Sequence, residues 1–182
     1  MNLPNLLTLF RVTAVPVFVG LVLSEKREAA FFLFLAAGIT DALDGLLARL
    51  LAQRTQFGSY MDPVADKFLV GLSFLVLTAK GGIPLWLSVI VLGRDFVVVT
   101  GFILLRVTSF DPEVEPSRLG KAAVACQVLL VLSVLSRETL PLLWTLRSPL
   151  MGLVVIFTCA SGVQYVLRGA KILEKGGQGC QR

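Results

Sequence analysis

The chain has 182 residues, 55% of them hydrophobic and only 16% charged, with a mean hydropathy of +0.82. That balance excludes an ordinary soluble domain and describes a polytopic membrane protein long enough for one domain. The net charge is +5, without a compact Lys/Arg run or aromatic interleaving; this excludes a nucleic-acid face and favours anionic headgroups or phosphorylated substrates.

In chain order, apolar stretches predict six helical spans over 5–23, 29–50, 60–79, 83–106, 118–136 and 140–168. The opening Met1-Asn-Leu-Pro-Asn5 lacks a basic n-region and a small-residue cleavage site. The first stretch is therefore expected to remain as a span. Asn5, Thr8 and Arg11 share one helical face at its start, which an amphipathic beginning explains almost as well as a binding role. Polar or Gly/Pro breaks follow at Ser24–Glu28, Gln53–Gln56, Lys80–Gly82 and Ser109–Ser117. Pro16 fits a kink and Pro84 a helix start, while Trp86 and Trp144 read as interface anchors. Residues 1–173 make a single membrane domain, and 174–182 read as a flexible tail. Cys126, Cys159 and Cys180 are odd in number and scattered, so neither a disulfide nor a zinc site is expected. The chain has no histidine, which removes a His nucleophile, a phosphohistidine and a His-bound metal.

The basic residues orient the bundle. With both termini inside, the inner side gathers 12 of the 17 Lys and Arg residues, and the outer side Lys26, Arg27, Lys80, Arg137 and Arg147. That bias predicts an N-in, C-in topology.

Four aspartates stand in these apolar surroundings: Asp41, Asp44, Asp62 and Asp66. A carboxylate at mid-membrane depth costs roughly 2.5–3.5 kcal/mol on insertion scales, so four mark a site by default. Asp41/Asp44 are spaced i,i+3 and Asp62/Asp66 i,i+4, which sets each pair on one helix face. Both pairs fall at the inner ends of consecutive spans, within reach of a cytosolic nucleotide and a membrane lipid together. Carboxylate oxygens without His or Cys suit hard cations such as magnesium or manganese. Four of them match two ions about 3.5–4 Å apart, an arrangement that clamps attacking and leaving oxygens. Burial for structure alone would leave four acids facing one arginine, Arg49, in low dielectric. A cation channel or transporter would be expected to repeat its acids in an inverted second half, whereas all four lie between 41 and 66. Gly45, Gly58 and Ala48 keep space for a ligand, and Arg49 offers a forked cation to a phosphate.

The segment Asp41-Ala-Leu-Asp44-Gly45-Leu-Leu-Ala48-Arg49, eight residues, then Gly58-Ser-Tyr-Met-Asp62-Pro-Val-Ala-Asp66 resembles the signature of the CDP-alcohol phosphotransferase family at every fixed position. The resemblance implies a magnesium-dependent transfer of a phosphatidyl group from CDP-diacylglycerol to a glycerol-based alcohol, releasing CMP. It implies that Asp41, Asp44 and Asp62 are metal ligands, and that Asp66 is the general base and also touches a metal. Gly45, Ala48, Arg49 and Gly58 would line the CDP site. It further implies a bacterial inner-membrane enzyme with its site facing the cytoplasm. Many members of that family dimerise through membrane helices, which makes a homodimer compatible with the resemblance.

Three further clusters bear on the acceptor. Asn2-Leu-Pro-Asn5-Leu-Leu-Thr8-Leu-Phe-Arg11 and Ser117-Arg118-Leu-Gly120-Lys121, with Gln127 beyond, resemble segments of phosphatidylglycerophosphate synthases and CMP-forming cardiolipin synthases. Gly93-Arg94-Asp95 sets an ion pair inside an apolar run, read equally well as a paired charge within the bundle. Arg94, Arg118 and Lys121 together would suit the phosphate of glycerol 3-phosphate. Asp95 in place of glutamate, and Phe102 where a further arginine is usual, look closer to the cardiolipin synthases, whose acceptor is phosphatidylglycerol. Glycerol 3-phosphate is the leading expectation and phosphatidylglycerol the alternative.

Overall fold

In the computed structural model the backbone is described over residues 3–51, 56–107 and 117–179, and side chains over 13–40, 67–101 and 117–169. Every element among the described residues is helical: α1 (Leu3–Leu23), α2 (Arg27–Leu51), α3 (Gln56–Ala79), α4 (Leu85–Val107), α5 (Arg118–Leu135), the short α6 (Pro141–Thr145) and α7 (Arg147–Gly179). The all-α expectation holds. The first five helices lie close to the predicted stretches, because each apolar run stops where polar residues, Gly or Pro collect.

The predicted stretch 140–168 is corrected: it is not one helix. It divides into α6 and α7 at Leu146, which caps α6. Two prolines explain the division. Pro141 opens α6, where its missing N–H is harmless. Pro149 has no N–H to donate to the Thr145 carbonyl, so the ladder cannot run straight through; the next bond is Leu150 N–H to Leu146 O at 3.0 Å. At its other end α7 continues through Gly179, into the stretch 174–182.

Pairwise packing divides the bundle in two. Helix α1 lies against α2 and α3, while α4 and α5 both lie against α7. The core fills the middle with fully buried Phe18, Phe34, Phe74, Leu87, Val91, Leu130 and Val154. The rings of Phe18 and Phe34 sit 5.5 Å apart at 46°, a tilted contact joining α1 to α2. Outside the core, large apolar side chains point away from the protein: Phe96 is 72% exposed, and Phe68, Leu85, Val89 and Ile156 are also exposed. A monomeric soluble protein rarely displays so much apolar surface. Among the described residues two helices are long and apolar enough to cross a membrane, Arg118–Leu135 and Arg147–Gly169. Only 17% of the second is buried, which is not how a soluble core helix sits.

In lipid, shape-matched packing and polar contacts hold helices together more than water exclusion does. Several hydroxyl groups here are satisfied accordingly. Ser73 donates to Leu69 O at 2.6 Å and Ser133 to Leu130 O at 2.8 Å, while Thr78 and Ser88 join α3 to α4 through their hydroxyls.

Three connections gather at one end of the bundle. Glu25 takes a left-handed backbone (φ 61°) to close the α1–α2 turn and meets Lys80, in the α3–α4 turn, at 3.3 Å. Gly81 (φ 70°) lets that second turn close. A side chain on the next residue, Gly82, would collide with Val134 Cγ1 of α5 at 2.8 Å. The opposite end holds the first turn of α5, with Arg94 of α4 close to it.

Candidate functional site

Both aspartate pairs fall within helical backbone, as their spacing requires. Asp41 and Asp44, with Gly45, Ala48 and Arg49, lie in the C-terminal half of α2; Gly58, Asp62 and Asp66 lie in the N-terminal half of α3. Asn5, Thr8 and Arg11 lie on α1. The side chains of all these residues are outside the described ones. Among the described residues no three His, Cys, Asp or Glu side chains cluster as a metal would require.

The described part of the site is built around Arg94 of α4. Its side chain is 8% exposed and pairs with Asp95, 16% exposed, through Nη1 and Oδ1 at 2.6 Å. Adjacent helical residues normally diverge, so this contact requires the long arginine to fold back over its own helix. Nε donates to Ser161 Oγ of α7 at 3.1 Å, and the guanidinium carbon stands 5.6 Å from the centre of the Tyr165 ring. An arginine held by a carboxylate, a hydroxyl and an aromatic face is oriented rather than mobile.

Arg94 is tied in turn to the start of α5. Ser117 adopts an extended backbone (φ −63°, ψ 147°) and its Oγ accepts the Gly120 N–H at 3.0 Å, a serine N-cap. The Ser117 N–H donates to Tyr165 Oη at 3.4 Å. Gly120 closes the assembly: a methyl group there would meet Ser117 Oγ at 3.1 Å, Arg94 Nη2 at 3.3 Å and Tyr165 Oη at 3.3 Å. Glycine is what allows the arginine, the tyrosine and the cap to converge.

Arg118 and Lys121 occupy the first turn of α5, both exposed and at the same end as Arg94. The described contacts do not join either of them to Arg94. Gln127, one residue of the same predicted segment, is instead an internal strut. Its Nε2 donates to Thr158 Oγ1 at 3.3 Å, and both residues are buried between α5 and α7. Ser161 Oγ donates to Thr158 O at 3.0 Å, so a polar column runs Gln127, Thr158, Ser161, Arg94, Asp95.

Sequence reasoning missed Lys67, Thr158, Ser161 and Tyr165. Half-buried Lys67 of α3 interacts electrostatically with both Asp95 and Arg94, bringing a second cation from the helix that also carries Asp62 and Asp66. The signal for the other three was their spacing, three and then four residues, which stacks them on one face of an apolar helix. Chemically, the region joins two cations, one carboxylate and a helix N-terminus, a setting suited to an anion.

Comparison with known proteins agrees with this chemistry. The family profile described as CDP-alcohol phosphatidyltransferase matches residues 1–162. A "Probable phosphatidylglycerophosphate synthase" of Mycobacterium tuberculosis is 34% identical over 180 residues, covering 93% of this chain and 82% of that one. The "CDP-diacylglycerol--glycerol-3-phosphate 3-phosphatidyltransferase" of Aquifex aeolicus is 35% identical, covering 96% and 99%. A human "Cardiolipin synthase (CMP-forming)" is 29% identical, covering 95% of this chain and 63% of its own.

Proposed function

Because the chain belongs to the CDP-alcohol phosphatidyltransferase family, enzymes of phospholipid biosynthesis, we propose that it transfers the phosphatidyl group of CDP-diacylglycerol to glycerol 3-phosphate, giving phosphatidylglycerophosphate and CMP. The observation that carries this reading is the unbroken motif from Asp41 to Asp66, set in helical backbone on both sides of its eight-residue gap.

The family uses divalent metal ions, and four carboxylates without a histidine or thiolate among them form a donor set that fits hard cations. Asp41, Asp44, Asp62 and Asp66 would hold two magnesium ions. Bound there, the ions would offset the charge of the diphosphate and of departing CMP. Gly45, Ala48, Arg49 and Gly58 would seat the cytidine diphosphate, with Arg49 forking onto phosphate oxygens. Asp66 takes the proton of the acceptor hydroxyl as that oxygen bonds to the phosphatidyl phosphorus. The phosphorus–oxygen bond to CMP breaks in the same displacement, so no covalent enzyme intermediate is needed.

Arg94, with Arg118 and Lys121 on the adjoining turn, would bind the acceptor phosphate from the side opposite CMP. Asn5, Thr8 and Arg11 would add contacts from α1. One observation favours phosphatidylglycerol as a second acceptor reading: Asp95 already neutralises part of Arg94 at 2.6 Å, which suits a less charged acceptor. We place the six long helices across a bacterial inner membrane with both termini and the aspartates on the cytoplasmic side, a reading supported by the 12-to-5 basic bias.

The test is CMP release from CDP-diacylglycerol with magnesium and glycerol 3-phosphate. Wild type should turn over, and Asp66→Asn should lose about 10²–10⁴-fold in kcat, the usual contribution of a general base. An Asp66→Asn enzyme with undiminished turnover would remove the base from this scheme.

A further inference from the structure

We propose that Arg137, Trp144 and Arg147 form a binding site for the headgroup phosphate of an anionic phospholipid, at the end of the bundle opposite the Arg94 cluster. The site lies on the connection between α5 and α7. The guanidinium carbon of Arg137 stands 5.4 Å from the centre of the Trp144 ring, and that of Arg147 4.8 Å from the same centre. Two like charges are thus collected about one indole. Neither has a carboxylate partner among the described residues, where the ion pairs join Lys80 to Glu25 and Arg94 to Asp95. Glu138, next to Arg137 in sequence and exposed, pairs with neither.

Helix electrostatics sharpen the point. Arg137 follows the end of α5, where a cation is favoured. Arg147 is the first residue of α7, a 33-residue helix with no acidic residue in its first turn. A cation there adds to the positive end of the dipole instead of opposing it. An anion held by the two guanidinium groups offsets the cost at Arg147 and the repulsion between the two cations, with N–H donors from both arginines.

The surroundings choose a lipid over a free anion. Leu140, Leu142 and Leu146 flank Trp144, and Leu142 is 81% exposed. Apolar side chains this exposed beside arginines and an indole match the boundary between acyl chains and headgroups. Thr139 Oγ1 in the same connection is shielded and without a hydrogen-bond partner, so the segment does not satisfy itself. The inference rests on the bilayer placement proposed above, not on the acceptor assignment. Under that placement the lipid belongs to the outer leaflet.

The test uses the full chain in nanodiscs of phosphatidylcholine alone and of phosphatidylcholine mixed with phosphatidylserine, an anionic lipid that is neither proposed donor nor acceptor. Wild type should unfold about 2–4 °C higher with phosphatidylserine. The Arg137→Gln/Arg147→Gln variant should lose that rise while releasing CMP at the wild-type rate. Should the double variant not fold, Arg147→Gln alone should show a reduced rise. An equal rise in the variants, or none in wild type, overturns the site. The same rise from inorganic phosphate in detergent micelles overturns the lipid as its ligand. Failure of the wild-type chain to enter nanodiscs overturns the placement and the site with it.

Discussion

Arg94 and Tyr165 come from different helices, yet the guanidinium of the first lies over the ring of the second, 5.6 Å from its centre. The same tyrosine receives the Ser117 N–H on its hydroxyl at 3.4 Å. One side chain on α7 therefore sets the arginine of α4 against the first turn of α5, where Arg118 and Lys121 also stand. If Arg94 meets the acceptor, Tyr165 positions it. Tyr165→Leu should raise the KM for glycerol 3-phosphate by about 3–10-fold, the worth of a partly desolvated cation–π contact. The KM for CDP-diacylglycerol should stay unchanged, and Tyr165→Phe, which keeps the ring, should recover most of the loss. Equal rises in both KM values would indicate a merely structural tyrosine.

Gly120 offers a smaller and sharper perturbation. A single methyl there meets the Ser117 hydroxyl, Arg94 Nη2 and the Tyr165 hydroxyl, all at 3.1–3.3 Å. Gly120→Ala should lower kcat/KM for the acceptor by about tenfold, since small misplacements of a binding group are costly. Alanine favours helix over glycine by about 1 kcal/mol, so the unfolding temperature should change little. Steady-state kinetics beside a thermal melt separates the two effects.

The aspartates make a prediction about metal. Asp41→Asn or Asp62→Asn removes a charged oxygen donor, and the magnesium concentration for half-maximal rate should rise at least tenfold. A magnesium titration of each variant reads this directly. An unchanged midpoint with a lowered maximum would assign these residues to something other than cation binding.

The polar column predicts a stability effect without a catalytic one. Gln127→Leu leaves Thr158 Oγ1 without its partner between α5 and α7. The cost should be about 0.6–1.7 kcal/mol, the range for hydrogen bonds between membrane helices. Thermal unfolding in one fixed detergent measures it, and a larger drop would mean the column also holds Arg94 in place.

Much of the helical frame was legible because lipid-compatible helices need long apolar runs, and their ends need polar residues, Gly or Pro. The break at Leu146 was not, since Leu142, Leu143 and Trp144 are as apolar as the helix that follows. Only the pair Pro141 and Pro149 betrays it. The aspartate motif was visible because ionised groups are conspicuous in an apolar sequence. Thr158, Ser161 and Tyr165 were inconspicuous, marked only by their shared helix face, and Ser and Thr hydroxyls in such helices commonly bond their own backbone. That Ser161 also accepts from Arg94 follows from the packing of α4 on α7, which no local pattern encodes. Lys67 counted only as an inner-side charge until the fold brought it within electrostatic reach of Asp95 and Arg94.

The most direct measurement offers the purified enzyme labelled CDP-diacylglycerol and magnesium, with glycerol 3-phosphate or phosphatidylglycerol supplied separately and the lipid products resolved. The account predicts labelled phosphatidylglycerophosphate with the first acceptor and CMP released in equal amount. Cardiolipin formed from phosphatidylglycerol alone would contradict the proposed acceptor and make the Arg94–Asp95 pair the mark of a cardiolipin-forming enzyme.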